Sequence, residues 1–244
     1  MTDEYFARIV IYLTQTGVAL LLSYLLWTLS KTYQQDYIRN WLAALLAFAL
    51  YQITILLQQL SPQSSLVMMF LQFFAVANSY AFAVFLLRGM LLVRGSNSKW
   101  LLHFSAFKVV ALVSVIAAVN TLPFDLSVAL QDWQNYFQVQ VRLLVMGVLL
   151  LTAAVSLLHR LEQTLGQRLA IVVLCLWGVL YIWFSLWMML GSLADTDEKV
   201  LVIYKCLELF LLCSLGLALL IWLHEQERNT NRQLTEKTRY LNRY

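Results

Sequence analysis

Charged side chains are scarce in this sequence: they make up 12% of 244 residues, apolar residues make up 61%, and the mean hydropathy is +0.71. A water-soluble domain of this composition would expose large apolar patches, so lipid is the expected solvent for most of the chain. Proline is almost missing too. Pro62 and Pro123 both fall in polar connections, and no apolar run contains one. Secondary transporters commonly break helices with Gly or Pro near the midplane and carry related halves; the lack of any proline within a run and of an internal repeat counts against that class. The three cysteines, Cys175, Cys206 and Cys213, lie in apolar segments without the spacing of a disulfide framework or a metal site, and are expected to act as small buried hydrophobes. There is no HExxH, GxSxG, CxxC or Gly-rich phosphate loop, and no pair of aspartates inside the apolar runs. Catalysis by this chain alone is therefore not expected, and no cofactor is. The start, MTDEYFARIV, holds two acids and lacks the basic region and cleavage pattern of a signal peptide, so the first apolar run reads as a permanent helix.

Polar breaks leave apolar runs near 6–30, 40–60, 66–91, 100–122, 136–158, 169–193 and 200–223, each long enough to cross a bilayer. The expected fold is an all-α membrane protein, a seven-transmembrane helix bundle spanning 1–223, followed by a polar helical stub at 224–244. The connections after the first, third and fifth runs hold Lys31, Arg39, Arg94, Lys99, Arg160 and Arg168, whereas those after the second, fourth and sixth hold only Lys199. Short cytoplasmic loops accumulate Lys and Arg, which places the first set in the cytoplasm, the N-terminus outside and the C-terminal helix inside. The net charge of +4 is explained by this topology, and no nucleic-acid partner is expected. Small residues in AVANSYAFA at 75–83 suit close helix packing and predict a central place for the third helix.

Ionisable residues inside apolar runs carry most of the functional signal, because a charge in hydrocarbon costs at least about 2.5 kcal/mol and persists where it has a partner or a task. Lys108, Arg142, Lys205 and Glu208 are of this kind. At 1.5 Å rise per residue, Arg142 lies about 9 Å below the outer end of the fifth run and Glu208 about 12 Å below that of the seventh. Lys205 and Glu208 share a helical face, as do Gln138 and Arg142. With Gln15, Gln52 and Gln72 on the first three helices and Tyr181, Trp183 and Trp187 on the sixth, they could line an aromatic-walled cavity open to the outside. The candidate ligand-binding set is Arg142, Glu208, Lys205, Gln138, Gln72, Tyr181 and Trp187. The plainer alternative is an Arg142–Glu208 ion pair joining two helices; a ligand carboxylate or hydroxyl could then compete with Glu208 for Arg142. Lys108 sits nearer the cytoplasmic side and can snorkel to it. A retinal lysine at Lys205 is disfavoured, since it lies in the outer quarter and the third helix has no carboxylate. His103, His159 and His224 fall near the cytoplasmic ends of three runs, a place where amphipathic rings are ordinarily found.

After Trp222 the sequence HEQERNTNRQLTEKTRYLNRY has neither Gly nor Pro and favours continued helix. Leu220, Glu227, Leu234 and Leu241 recur every seven residues, with Leu223, Thr230, Lys237 and Tyr244 at the companion position. Half of these seam positions are polar, which predicts a weak, movable dimer contact. Seven runs with this charge layout, leading into EQERNTNRQLTEKTRYLNRY, resemble the N-terminal sensory modules of bacterial membrane receptors, the MASE-type and seven-transmembrane sensor regions. That resemblance, one of layout and tail character, implies a homodimer in the bacterial inner membrane that passes a signal to a diguanylate cyclase or histidine kinase. Neither a GGDEF-like signature nor a phospho-acceptor histidine region follows LNRY. The expectation is thus either the sensory part of a longer receptor or a membrane protein that signals through a partner. The competing classes are a small-molecule transporter or channel, which needs a polar path to both faces, and a membrane scaffold.

Overall fold

A computed structural model describes residues 3–60, 65–93, 106–121, 137–158, 164–190 and 198–241. The described residues are all helical apart from short connections: α1 (Asp3–Tyr33), α2 (Asp36–Leu60), α3 (Ser65–Val93), α4 (Ala106–Thr121), a π-helical turn (Phe137–Val141) running into α5 (Arg142–Leu158), α6 (Leu165–Leu190) and α7 (Glu198–Leu241). Six of these, all but α4, are long and apolar enough to cross a membrane. The helices overrun the apolar runs because polar residues also serve helix ends. Thr164 caps α6 reciprocally with Gln167: the Gln167 amide donates to Thr164 Oγ1 at 3.4 Å, and the Thr164 amide donates to Gln167 Oε1 at 3.3 Å.

The helices close into a ring in the order α1, α2, α3, α5, α6, α7 and back to α1, with α4 lying outside against α3. Outward faces carry Phe6, Leu21, Tyr24, Val115, Phe210 and Leu217, each at least 60% exposed, a pattern that fits hydrocarbon as solvent. Small residues let neighbouring helices approach. A β-carbon on Gly147 of α5 would stand 2.8 Å from the carbonyl oxygen of Gly178 on α6, and one on Gly178 would stand 2.9 Å from that of Gly147. Along α3, Ala75, Ser79 and Ala83 are buried, and this helix packs on α2, α4 and α5; it is one member of the ring and does not stand at its centre. The cysteines depart from expectation: Cys206 is exposed and Cys175 and Cys213 are half-buried, all three free.

Two aromatic layers fill the ring. Phe48, Phe82 and Trp177, from α2, α3 and α6, meet with ring centroids 5.1 to 5.9 Å apart. Towards the tail, Trp41 of α2 lies against Trp222 of α7 at 5.1 Å. These contacts also fix direction. The ends of α1, α3 and α5 and the beginnings of α2 and α6 lie at the level of Trp222, whereas Gln15, Arg142 and Lys205, near the beginnings of α1, α5 and α7, lie at the other. Consequently α3 and α5 run in the same direction.

Candidate functional site

Glu208 is the centre of a polar cluster near the beginning of α7. It is 1% exposed, and each of its oxygens is occupied. Lys205, one turn earlier on the same face, places Nζ 2.7 Å from Oε2, as the three-residue spacing allows. Gln15 of α1 donates from Nε2 to the same oxygen at 3.3 Å and to the Lys205 backbone carbonyl at 2.9 Å. Tyr181 of α6 donates its hydroxyl to Oε1. One carboxylate thus joins α1, α6 and α7 through charge-assisted bonds, the stronger kind of hydrogen bond.

Around this carboxylate stands a collar of tyrosines. Lys205 Nζ lies 5.3, 5.4 and 5.6 Å from the ring centres of Tyr12, Tyr204 and Tyr51, near enough for the ring quadrupoles to attract the ammonium group. Phe184 stacks on Tyr204 at 4.1 Å, holding that ring in place.

Arg142 approaches the same collar from α5, with Cζ 5.6 Å from the Tyr51 ring centre. It is 9% exposed, its Nε is buried without a partner, and it makes no hydrogen bond or ion pair among the described residues. The preceding π-helical turn widens the backbone, a distortion common at functional sites, and α6 pins it there. Ser185 donates to the Gln140 carbonyl at 2.7 Å, and Gln140 Nε2 donates to the Met188 carbonyl at 3.0 Å.

The structure therefore brings Glu208, Lys205 and Tyr181 into direct contact and sets Arg142 beside them, but it does not form the Arg142–Glu208 pair. Lys205 reaches the carboxylate within its own helix, which leaves Arg142 facing an aromatic ring. Gln72 is half-buried on α3. Trp187 stacks on Trp183 at 6.3 Å and leans on Phe184, so it supports the collar from behind. Gln138 falls in the π-helical turn with its side chain outside the described residues, where His103 and His159 also lie. His224 is exposed, and among the described residues no three His, Cys, Asp or Glu side chains are grouped to hold a metal ion. Sequence reasoning missed Tyr12, Tyr51 and Tyr204, although each lies within one turn of, or next to, a polar residue it did single out: Gln15, Gln52 and Lys205.

At the opposite end, α7 is clamped as it leaves the ring. Glu225 accepts the backbone amides of Leu165 and Gly166 at 3.2 and 3.0 Å, placing a carboxylate on the N-terminus of α6 where the helix dipole favours it. Tyr37 of α2 donates to Gln226 Oε1 at 2.6 Å. Gly166 allows this fit, because a β-carbon there would overlap the Trp222 backbone. A cleft of about 350 Å³ opens beside the clamp between Tyr33, Gln35, Tyr37 and residues 223–231. No family model matches the chain, and no curated protein or solved structure is significantly similar to it.

Proposed function

We propose that this chain is the membrane-embedded sensory module of a bacterial receptor, with the N-terminus outside and α7 carrying the signal into the cytoplasm. The observation that carries this reading is the double engagement of one uninterrupted helix. Near its beginning α7 supplies Lys205 and Glu208 to the buried cluster; near the exit it supplies Glu225 and Gln226 to the clamp; and it then runs on as a polar helix to Leu241. Its 44 residues span about 66 Å, roughly twice a hydrocarbon core. A ligand that shifts the cluster must move a rigid rod whose far end lies outside the membrane, and the shift can be no larger than its differential binding to the two arrangements allows.

The seven-crossing topology has support beyond loop charge. Since α3 and α5 run in the same direction, the chain between them has to return across the bundle, and α4 is the helix in that interval. A transporter or channel fits less well. The layer of Phe48, Phe82 and Trp177, all at most 1% exposed, lies one turn inward of Gln52 and Tyr181 and sets apolar rings between the cluster and the clamp.

The reading is tested by fusing residues 1–244, in helical register, to the dimeric catalytic part of a histidine kinase. Substitutions Glu208→Gln and Glu225→Ala are expected to change basal phosphorylation per inserted molecule, compared at equal amounts of protein in the membrane. Phosphorylation unaffected by both, at normal insertion, would refute it, and substrate-dependent flux in proteoliposomes would replace it with transport.

A further inference from the structure

We infer that the ligand of this module is an organic monocarboxylate, bound through Arg142. The inference rests on the sensory reading above and assigns the chemistry of its ligand.

It starts from an imbalance. Two cations, Lys205 and Arg142, lie at the same distance, 5.6 Å, from the centre of one tyrosine ring, and both are at least nine-tenths buried. One carboxylate, Glu208, lies in the cluster among the described residues, and it is already engaged by Lys205, Gln15 and Tyr181. Of these two cations, the one left without a carboxylate among the described residues is Arg142. A guanidinium group in such a setting is a strong bidentate receptor for a carboxylate, with planar donors whose spacing matches the two oxygens. Gln52, the residue after Tyr51 on α2, is fully buried with both amide atoms unpartnered, so α2 also holds unused donor and acceptor capacity. Unpaired buried polar groups are costly, so a ligand that satisfied these would gain free energy by doing so.

Size and charge narrow the class. A monoanion matches this one cation, whereas a dianion would exceed it. The walls near Arg142 and Lys205 are aromatic, Tyr12, Tyr51 and Tyr204, which favours an apolar body behind the carboxylate. Such a molecule can arrive from water as a small aromatic acid or from the bilayer as a short fatty acid; the recognising chemistry is shared.

The test is thermal unfolding of the purified full chain in a non-ionic detergent with sodium benzoate, sodium decanoate, benzamide and sodium chloride as probes. At about a hundredfold excess over Kd a bound acid is expected to raise Tm by about 5 °C. Benzoate acting alone identifies a water-borne acid and decanoate acting alone a lipid-borne one; either supports the inference. Arg142→Gln should abolish the shift while Arg88→Gln retains it. The inference is overturned if benzamide or chloride stabilises as well as the acids, if no acid stabilises, or if the shift survives in Arg142→Gln. A neutral probe whose stabilisation depends on Glu208 would overturn the carboxylate assignment yet leave the sensory reading standing.

Discussion

Substituting Glu208 by Gln isolates the charge of the cluster's central group while keeping its shape. Gln can still accept the Tyr181 hydroxyl and occupy the same volume, so the main loss is the anion that faces Lys205. With Nζ and Oε2 2.7 Å apart, the gross attraction at an effective dielectric of 20 is about 6 kcal/mol. The desolvation of both ions offsets part of it, and stranding one buried partner typically costs about 3–5 kcal/mol. Lys205 is only 8% exposed and lies within the bundle, so it cannot simply turn to water. The expected loss for Glu208→Gln is therefore about 3–5 kcal/mol. Lys205→Met should cost less, because Glu208 keeps Tyr181 and Gln15 as donors, and the double substitution should recover most of the stability lost by Glu208→Gln. The measurement is reversible unfolding in mixed micelles at increasing SDS, followed by circular dichroism, for all four members of the cycle. A cost below about 1 kcal/mol for Glu208→Gln with additive effects in the double variant would mean that the pair is effectively solvated, and the reasoning fails.

Three other substitutions probe separate links in the same chain of argument. Arg142→Met removes a buried cation that has no ion-pair partner among the described residues, and in the same unfolding assay it should leave stability unchanged or raise it. Gly147→Ala forces a methyl group to within 2.7 Å of Ile182 Cγ1 and 2.8 Å of the Gly178 carbonyl, and should destabilise the α5–α6 contact by about 1–3 kcal/mol. Glu225→Ala frees the amides of Leu165 and Gly166; a cost of about 0.5–2 kcal/mol is expected, with faster hydrogen exchange at those two amides and little change at Gln140 or Ser185.

How much of this was legible without coordinates follows from the range of each interaction. Helices announce themselves through uninterrupted apolar runs, and the 169–193 run marks α6 to within a few residues because hydrophobicity and helix ends nearly coincide there. The Lys205–Glu208 contact was legible as a shared face, since three-residue spacing in a helix needs no partner element. Gln15 and Tyr181 lie 193 and 27 residues from Glu208, and their meeting depends on the rotation of three helices about their axes, which apolar composition all round each helix leaves undetermined. The Arg142–Glu208 expectation went astray for that reason: matched depth was correct, but depth alone does not choose between two cations, and the one on the same helix is nearer. The π-helical turn is likewise invisible in FQVQV, whose residues suit an ordinary helix equally well.

The closure of the ring by its first and last helices has a consequence for biosynthesis. Gln15 is among the earliest residues made, yet its amide bonds to Lys205 and Glu208, which are among the later ones. Until α7 arrives, the Gln15 amide and the Tyr181 hydroxyl have to be satisfied in some other way. The cluster and the polar extension are thus acquired in a single step, because the helix that completes the one also continues into the other. A chain interrupted after α6 would lack both the completed cluster and the polar extension.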